Sequence, residues 1–334
     1  MATEAGRFDE LYAKRQGPYA KEPSAEEFLE GLNEYLQPRE LRLYRDYPVE
    51  HPFFFVVGLP RSGTTLISQL LAYCLDAGYV NNFVARFWRA PVHGIRLSRV
   101  IVGEPGEAEF ESDYARTKRL TDIHEYGYFW RHWLEKHTFD DVVRADERED
   151  EIDWPALKRT LANVQQEFGK PFVAKNMLGA YHMAKLRDVL EQVVWVYIER
   201  DPLDVAVSIL DARRKYYSDP NAWWSYVPPE YPLLAGRDYR EQIAGQIHYL
   251  ARFYDRALGE VGSEAVVRVT YDQLCRDPAA VLDAVATRAE SAYGRRPSIR
   301  QRPPQTFPFR AHRDREADKE TFRPLLASLQ AEDP

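Results

Sequence analysis

The stretch FFFVVGLPRSGTT, Phe53 to Thr65, is a hydrophobic run that breaks into a glycine-bracketed loop. Phe53 to Val57 predicts a buried strand and Gly58 to Gly63 a loop. Thr64 to Tyr73 predicts a helix with Leu66, Leu70 and Leu71 facing inward. Successive backbone N–H groups of such a loop, with the positive end of the helix behind them, make an anion site. The segment fits the phosphate-loop template G-x-x-x-x-G-K-[ST] from Gly58 to Thr65 except at the lysine, where Thr64 stands. The nearest cation is three positions earlier, at Arg61. A kinase of ATP or GTP needs that lysine and a bound Mg²⁺ to manage a γ-phosphoryl group. A sulfuryl group carries a single negative charge, so amides and one or two fixed cations suffice to stabilise its leaving phosphate.

Outward from this loop, strands alternate with helices. Ser24 with Glu27 makes a capping-box pattern ahead of a helix over 24–45, with Phe28, Leu32, Tyr35 and Leu36 on its inward face. This leader, residues 1–50, is expected to pack on a main domain spanning 51–334. Residues 80–153 form an aromatic and acidic insertion, whose end DDVVRADEREDEID is expected to be exposed. Asp153 caps a helix ended by Gly169, the strand PFVAK follows, and a helix with Met183, Leu186 and Leu190 inward comes next. VVWVYI, Val193 to Ile198, is a second apolar strand, with Asp201-Pro202 opening a helix. EAVVRVTYDQL supplies a strand to Tyr271, before a helix opened by Asp277-Pro278. The pattern predicts an α/β fold: a central, mostly parallel sheet flanked by helices.

With 334 residues, 45% hydrophobic and 29% charged, the chain can bury a large core. A net charge of -7 provides no general basic field for nucleic acid, so an anion site must be local. Cys74 and Cys275 are too few for a disulfide framework, and no His/Cys cluster has zinc spacing, so no metal is expected. The N-terminus has no apolar signal segment and no run of 18 apolar residues occurs, which makes a cytoplasmic chain without a membrane span the expectation.

PRSGTT, Pro60 to Thr65, resembles the 5′-phosphosulfate-binding loop of the sulfotransferases that use 3′-phosphoadenosine 5′-phosphosulfate (PAPS). In that family a strand ending in Arg, followed by a helix bearing Ser eight residues later, binds the 3′-phosphate; VVWVYIERDPLDVAVS carries Arg200 and Ser208 at that spacing. Lys175, ending FVAK, is similar to the family's lysine beside the bridging oxygen, and VTYDQLCRDP is similar to its segment whose tyrosine, here Tyr271, lies by the nucleotide. The resemblance covers roughly residues 53–280. It implies a P-loop-like sulfotransferase architecture with PAPS as donor. Arg61, Ser62, Gly63, Thr64 and Thr65 then hold the 5′-phosphosulfate, Arg200 and Ser208 the 3′-phosphate, and Lys175 assists the leaving oxygen. The acceptor is a hydroxyl of a saccharide or small molecule. The aromatic segments Phe87-Trp88, Tyr126 to Trp130 and Tyr216 to Tyr231 either stack it or pack the core.

The general base is not where the family keeps it: Met177 stands where some relatives have histidine, and Asn81 and Asn82 where others have glutamate. The remaining candidates are the adjacent His124 and Glu125. Histidine is favoured because a neutral imidazole accepts a proton near pH 7 without tuning. His132 and His182 rank behind them. The rival readings are a P-loop kinase and a non-catalytic nucleotide-binding protein that has lost its base.

Overall fold

The computed structural model describes residues 7–103, 108–114 and 116–331. Five strands, β1 (Phe53–Gly58), β2 (Gly78–Tyr79), β3 (Phe172–Lys175), β4 (Val193–Glu199) and β5 (Val266–Thr270), form one parallel sheet in the order β2-β3-β1-β4-β5. Side chains alternate across a strand. Phe53, Phe55 and Val57 therefore enter one core, with Trp195 and Tyr197, while Phe54 and Val56 enter a second, with Val194, Val196 and Ile198. Burial on both faces is why β1 and β4 read as unbroken apolar runs. All five strands point the same way, so the loop after β1, Lys175 at the end of β3, Arg200 just past β4 and Tyr271 just past β5 emerge at one edge. That edge, where β1 has neighbours leading away on both sides, is where open α/β sheets place ligands.

The helix caps follow the sequence at most points. Asp153 accepts from the Ala156 N–H at 3.0 Å and Asp201 from those of Leu203 and Asp204 at 2.9 and 3.0 Å, each ahead of a proline in the first turn. Both cysteines are free and buried. Tyr271 is not the last strand residue: Thr270 caps a helix, Tyr271–Arg276, that Tyr271 begins.

Two expectations fail. Helix α2, Pro23–Leu43, which follows the short α1, Phe8–Ala13, is capped by Glu22, not Ser24: its carboxylate takes the N–H groups of Ser24 and Ala25 at 3.3 and 2.7 Å. Its inward face is also polar. Phe28 and Tyr35 are 68% and 62% exposed, whereas Asn33 and Glu40 are fully buried. Glu40 accepts from the N–H groups of Val92 and His93 at 2.7 and 3.2 Å, closing the start of the helix Pro91–Ile101 from outside. Asn33 bridges the carbonyl of Arg86 and the N–H of Arg89, both at 2.8 Å. The acidic stretch is likewise anchored. Thr138 and Asp141 form a capping box over Phe139–Val143, and Phe139, Val142, Ala145 and Ile152 are buried, leaving Asp146, Glu147 and Asp150 outside. In α2 the unpaired N–H groups of residues 89–93 decide which side chains turn inward, whereas in the acidic stretch the apolar side chains do.

Among the described residues, no helix is long and apolar enough to cross a membrane. Glu40→Ala leaves two backbone donors without their acceptor and should lower unfolding free energy by about 3 kcal/mol. Phe28→Ser should change it by less than about 0.5 kcal/mol. Urea midpoints of the two variants test this ranking.

Candidate active site

The loop after β1 owes its shape to two glycines. A side chain at Gly58 would sit 2.6 Å from the Ile198 carbonyl of β4. At Gly63, with φ +109°, a Cβ would lie 2.7 Å from the Tyr271 ring. Only a residue without Cβ lets strands β4 and β5 approach the loop this closely. Arg61 takes a left-handed conformation, φ +67°, which turns its carbonyl toward Arg200 and its side chain across the cavity. Its Nε donates to Ser208 Oγ at 2.9 Å, and its guanidinium lies 4.8 Å from the Tyr114 ring. Burial is the leading cause that lowers its pKa.

Arg200 donates from Nη1 to the Arg61 carbonyl at 2.9 Å and from Nη2 to that of Arg310, with its guanidinium 4.4 Å from the Tyr271 ring. Arg61, Arg200, Ser208 and Tyr271 thus make one contiguous cationic wall. Two polar atoms there are buried with no partner, Ser62 Oγ beneath the loop and Arg200 Nε. Buried groups of this kind normally find hydrogen bonds, and two donors beside the start of helix α3 (Thr64–Cys74) fit an oxyanion ligand.

A single cavity of about 630 Å³ runs from this wall past Lys175 to the aromatic segments. Lys175, side chain 6% exposed, ion-pairs with Glu125 and lies 3.3 Å from Thr65 Oγ1. Glu125 is enclosed by protein but open to the cavity's water. Burial pushes its carboxyl up, and the Lys175 ammonium more than offsets this, leaving the pKa below the usual carboxylate value. His124 lies in the same wall with its side chain exposed to the cavity. Burial draws its pKa down to about 4 against the opposing pull of Glu125. Tyr126, in a left-handed conformation at φ 56°, donates its N–H to His124 Nδ1 at 2.8 Å. A backbone N–H can only donate, so Nδ1 is unprotonated and the proton of the neutral ring sits on Nε2.

The sequence model of the Sulfotransferase family matches residues 52–293. The chain belongs to the sulfotransferase family. Solved structures it is similar to include sulfotransferase STF9 from Mycobacterium avium, 19% identical over 89% of this chain and 72% of that one, with a TM-score of 0.48. Others are sulfotransferase STF1 from Mycobacterium tuberculosis H37Rv (16% identical, 88% and 81% covered, TM-score 0.47) and a sulfotransferase from Alicyclobacillus acidocaldarius (17%, 84% and 95%, TM-score 0.40). No curated protein matches the chain. The assignment rests on the family match.

In this sulfotransferase-family chain, Arg61, Gly63, Thr64, Thr65, Lys175, Arg200, Tyr271, His124 and Glu125 all line the one cavity, and Ser208 meets it through Arg61. His182 does not. It ends a helical turn, Gly179–His182, ahead of the helix Met183–Leu190, with Nδ1 3.0 Å from Glu149, and burial holds its pKa down to about 3. His132 is likewise outside the cavity lining. Asn81 is occupied in capping Phe83 and Val84, at 3.1 and 2.8 Å. Among the described residues no group of three His, Cys, Asp or Glu gathers as a metal site. Sequence reasoning missed the two ends of the chain: Tyr12, Arg15 and Lys21 from the leader, and Phe307, Pro308 and Arg310 from beyond the last strand, also line the cavity. Only the aromatic-proline pattern FPFR gave any local signal for the second group.

Histidine NMR should find His124 neutral, protonated on Nε2, from pH 8 down to pH 5.5. A midpoint near the ordinary imidazole value of about 6.5 would contradict this assignment. In Lys175→Met the largest lowering cause on Glu125 is gone, while burial and the weaker pulls of His124 and Arg15 remain, so its carboxyl midpoint should move up. A carbon-detected pH titration of Glu125 gives the sign.

Proposed function

We propose that the chain transfers a sulfuryl group from PAPS to a hydroxyl of a small-molecule or saccharide acceptor. The observation that carries the reading is the convergence, in one cavity, of the Arg61 loop, the Arg200–Ser208 wall and the Lys175–Glu125 pair. Bound PAPS supplies an activated sulfuryl group on a phosphate leaving group. Arg61, Ser62 Oγ and the amides of Gly63 to Thr65 hold its 5′ side. Arg200 and Ser208 hold the 3′-phosphate, and Tyr271 borders the nucleotide. The donors with no protein partner, Ser62 Oγ and Arg200 Nε, support this fit.

For the proton, the geometry favours Glu125 over His124, the reverse of the ranking favoured by the sequence. His124 offers the cavity an N–H, not a lone pair, because Tyr126 occupies Nδ1. Glu125 offers a carboxylate, and it takes the acceptor proton while His124 Nε2–H orients the acceptor. A low pKa makes a poor base, and Lys175 supplies the remedy. When its ammonium turns from Glu125 toward the leaving phosphate, the strongest pull lowering the carboxyl is removed and burial raises its proton affinity against the weaker pulls of His124 and Arg15. One lysine then serves both ends of the transfer.

Calorimetry should show tight binding of 3′-phosphoadenosine 5′-phosphate without Mg²⁺, weak binding of ATP, and selective loss of the 3′-phosphate preference in Arg200→Ala. Equal affinity for adenosine 5′-phosphate would remove the role given to Arg200 and Ser208. Glu125→Gln should lower turnover by about 10²-fold to 10⁴-fold with nucleotide affinity unchanged, and His124→Ala by less. The opposite ranking returns the base to His124. Nucleotide binding with no transfer to any acceptor in a broad hydroxyl panel would favour a nucleotide-binding protein that is not an enzyme.

A further inference from the structure

The part of the cavity lined by the leader is cationic in a chain whose net charge is -7. Its four cations are not equivalent. Lys21 is paired with Glu26 at 2.7 Å, and Arg131 with both oxygens of Asp9 at 2.8 and 3.1 Å. Arg116 spends its guanidinium on the carbonyls of Pro18 and Tyr19, at 2.6 and 3.2 Å, and so shapes the leader's turn. Arg15 has no carboxylate partner among the described residues, and its Nε is buried with no hydrogen-bond acceptor. Its guanidinium lies 4.0 Å from the Tyr12 ring and 5.4 Å from the Tyr216 ring, an aromatic slot that fixes the plane.

The slot is itself anchored. Gln16 donates its N–H to the Tyr216 carbonyl at 2.8 Å, and its side chain accepts from Ser218 Oγ at 2.9 Å, tying the leader to the end of the helix Pro202–Tyr217. Arg15 is close enough for its charge to act on Glu125 across the cavity. Tyr226, on the same wall, has a buried hydroxyl with no partner. A preorganised guanidinium in the same cavity as the Lys175–Glu125 pair, with an unused hydroxyl also on its lining, is complementary to an oxyanion.

We propose that the acceptor is an anionic hydroxy compound: its hydroxyl lies at Glu125 and its carboxylate, phosphate or sulfate is gripped by Arg15, with an apolar or aromatic body between them. This rests on the sulfotransferase reading of the same cavity and narrows its acceptor class. The body packs against Tyr12, Tyr128, Met177, Tyr216 and Trp224, which line the intervening walls. Cationic acceptors meet repulsion from Arg15, and neutral ones leave its Nε unsatisfied.

The test is calorimetry on the full chain saturated with 3′-phosphoadenosine 5′-phosphate. The probes are ω-hydroxy carboxylic acids of graded length and hydroxyaryl carboxylic acids, each beside its methyl ester. The best acids should bind about 10-fold to 100-fold tighter than their esters, the range of a charge-assisted contact. Arg15→Gln should abolish that difference, and Arg15→Glu should shift preference to the matching hydroxy amines, both with nucleotide affinity unchanged. Acids and esters binding alike, no acid binding at all, or an acid preference that survives Arg15→Gln would overturn the proposal. Transfer from PAPS is read separately: acids that bind through Arg15 but are not sulfated support the anion slot and count against the reaction.

Discussion

Strand β1 is hydrogen-bonded on both sides, with Val56 level with Lys175 of β3 and Val57 level with Tyr197 of β4. That register sets where every later strand ends. Because the sheet is parallel, each chain segment leaves it at the same edge, and the residues that follow must share one small volume. The Gly63–Tyr271 contact is one consequence, since the ring past β5 occupies the space a side chain in the loop past β1 would need. The cationic wall is assembled largely by the sheet, with Ser208 and the Arg310 carbonyl brought to it from outside. Arg200 reaches the Arg61 carbonyl only because β4 lies beside β1.

Much of this arrangement was legible in the sequence because it depends on short-range order. An apolar run, a glycine loop and a capped helix are local patterns, as are an arginine at a strand end and a serine two helical turns on. Where partners come from distant segments, the pattern is silent or misleading. Periodicity counts apolar residues, so it set Phe28 and Tyr35 inward on α2, where Asn33 and Glu40 face in to satisfy the chain around residues 86–93. His124 and Glu125 were found as a pair, but their ranking turns on a proton position. Tyr126 folds back in a left-handed conformation to donate to His124 Nδ1, and no residue type announces that. Arg15 and Arg310 reach the cavity from the two ends of the chain, beyond any spacing rule.

The Lys175–Glu125 pair joins two demands that conflict in isolation. A buried ammonium without a counter-charge is costly, and so is a buried carboxylate. Lys175 keeps Glu125 ionised in the resting protein, and an anion entering beside Thr65 competes for the same ammonium. The charge balance of the cavity therefore depends on what occupies it.

The leader has a different relation to the scaffold from that of the nucleotide wall. Loop, lysine and arginine are bolted to strands whose hydrogen bonds allow no slippage without loss of both cores. Residues 8–21 touch the cavity through side chains and a few backbone contacts at Arg7, Phe8 and Gln16, with no place in the sheet. Variation there can reshape the leader's side of the cavity while the cationic wall stays fixed. The leader's cavity-facing side chains could be rewritten without disturbing the sheet or the glycine loop it holds.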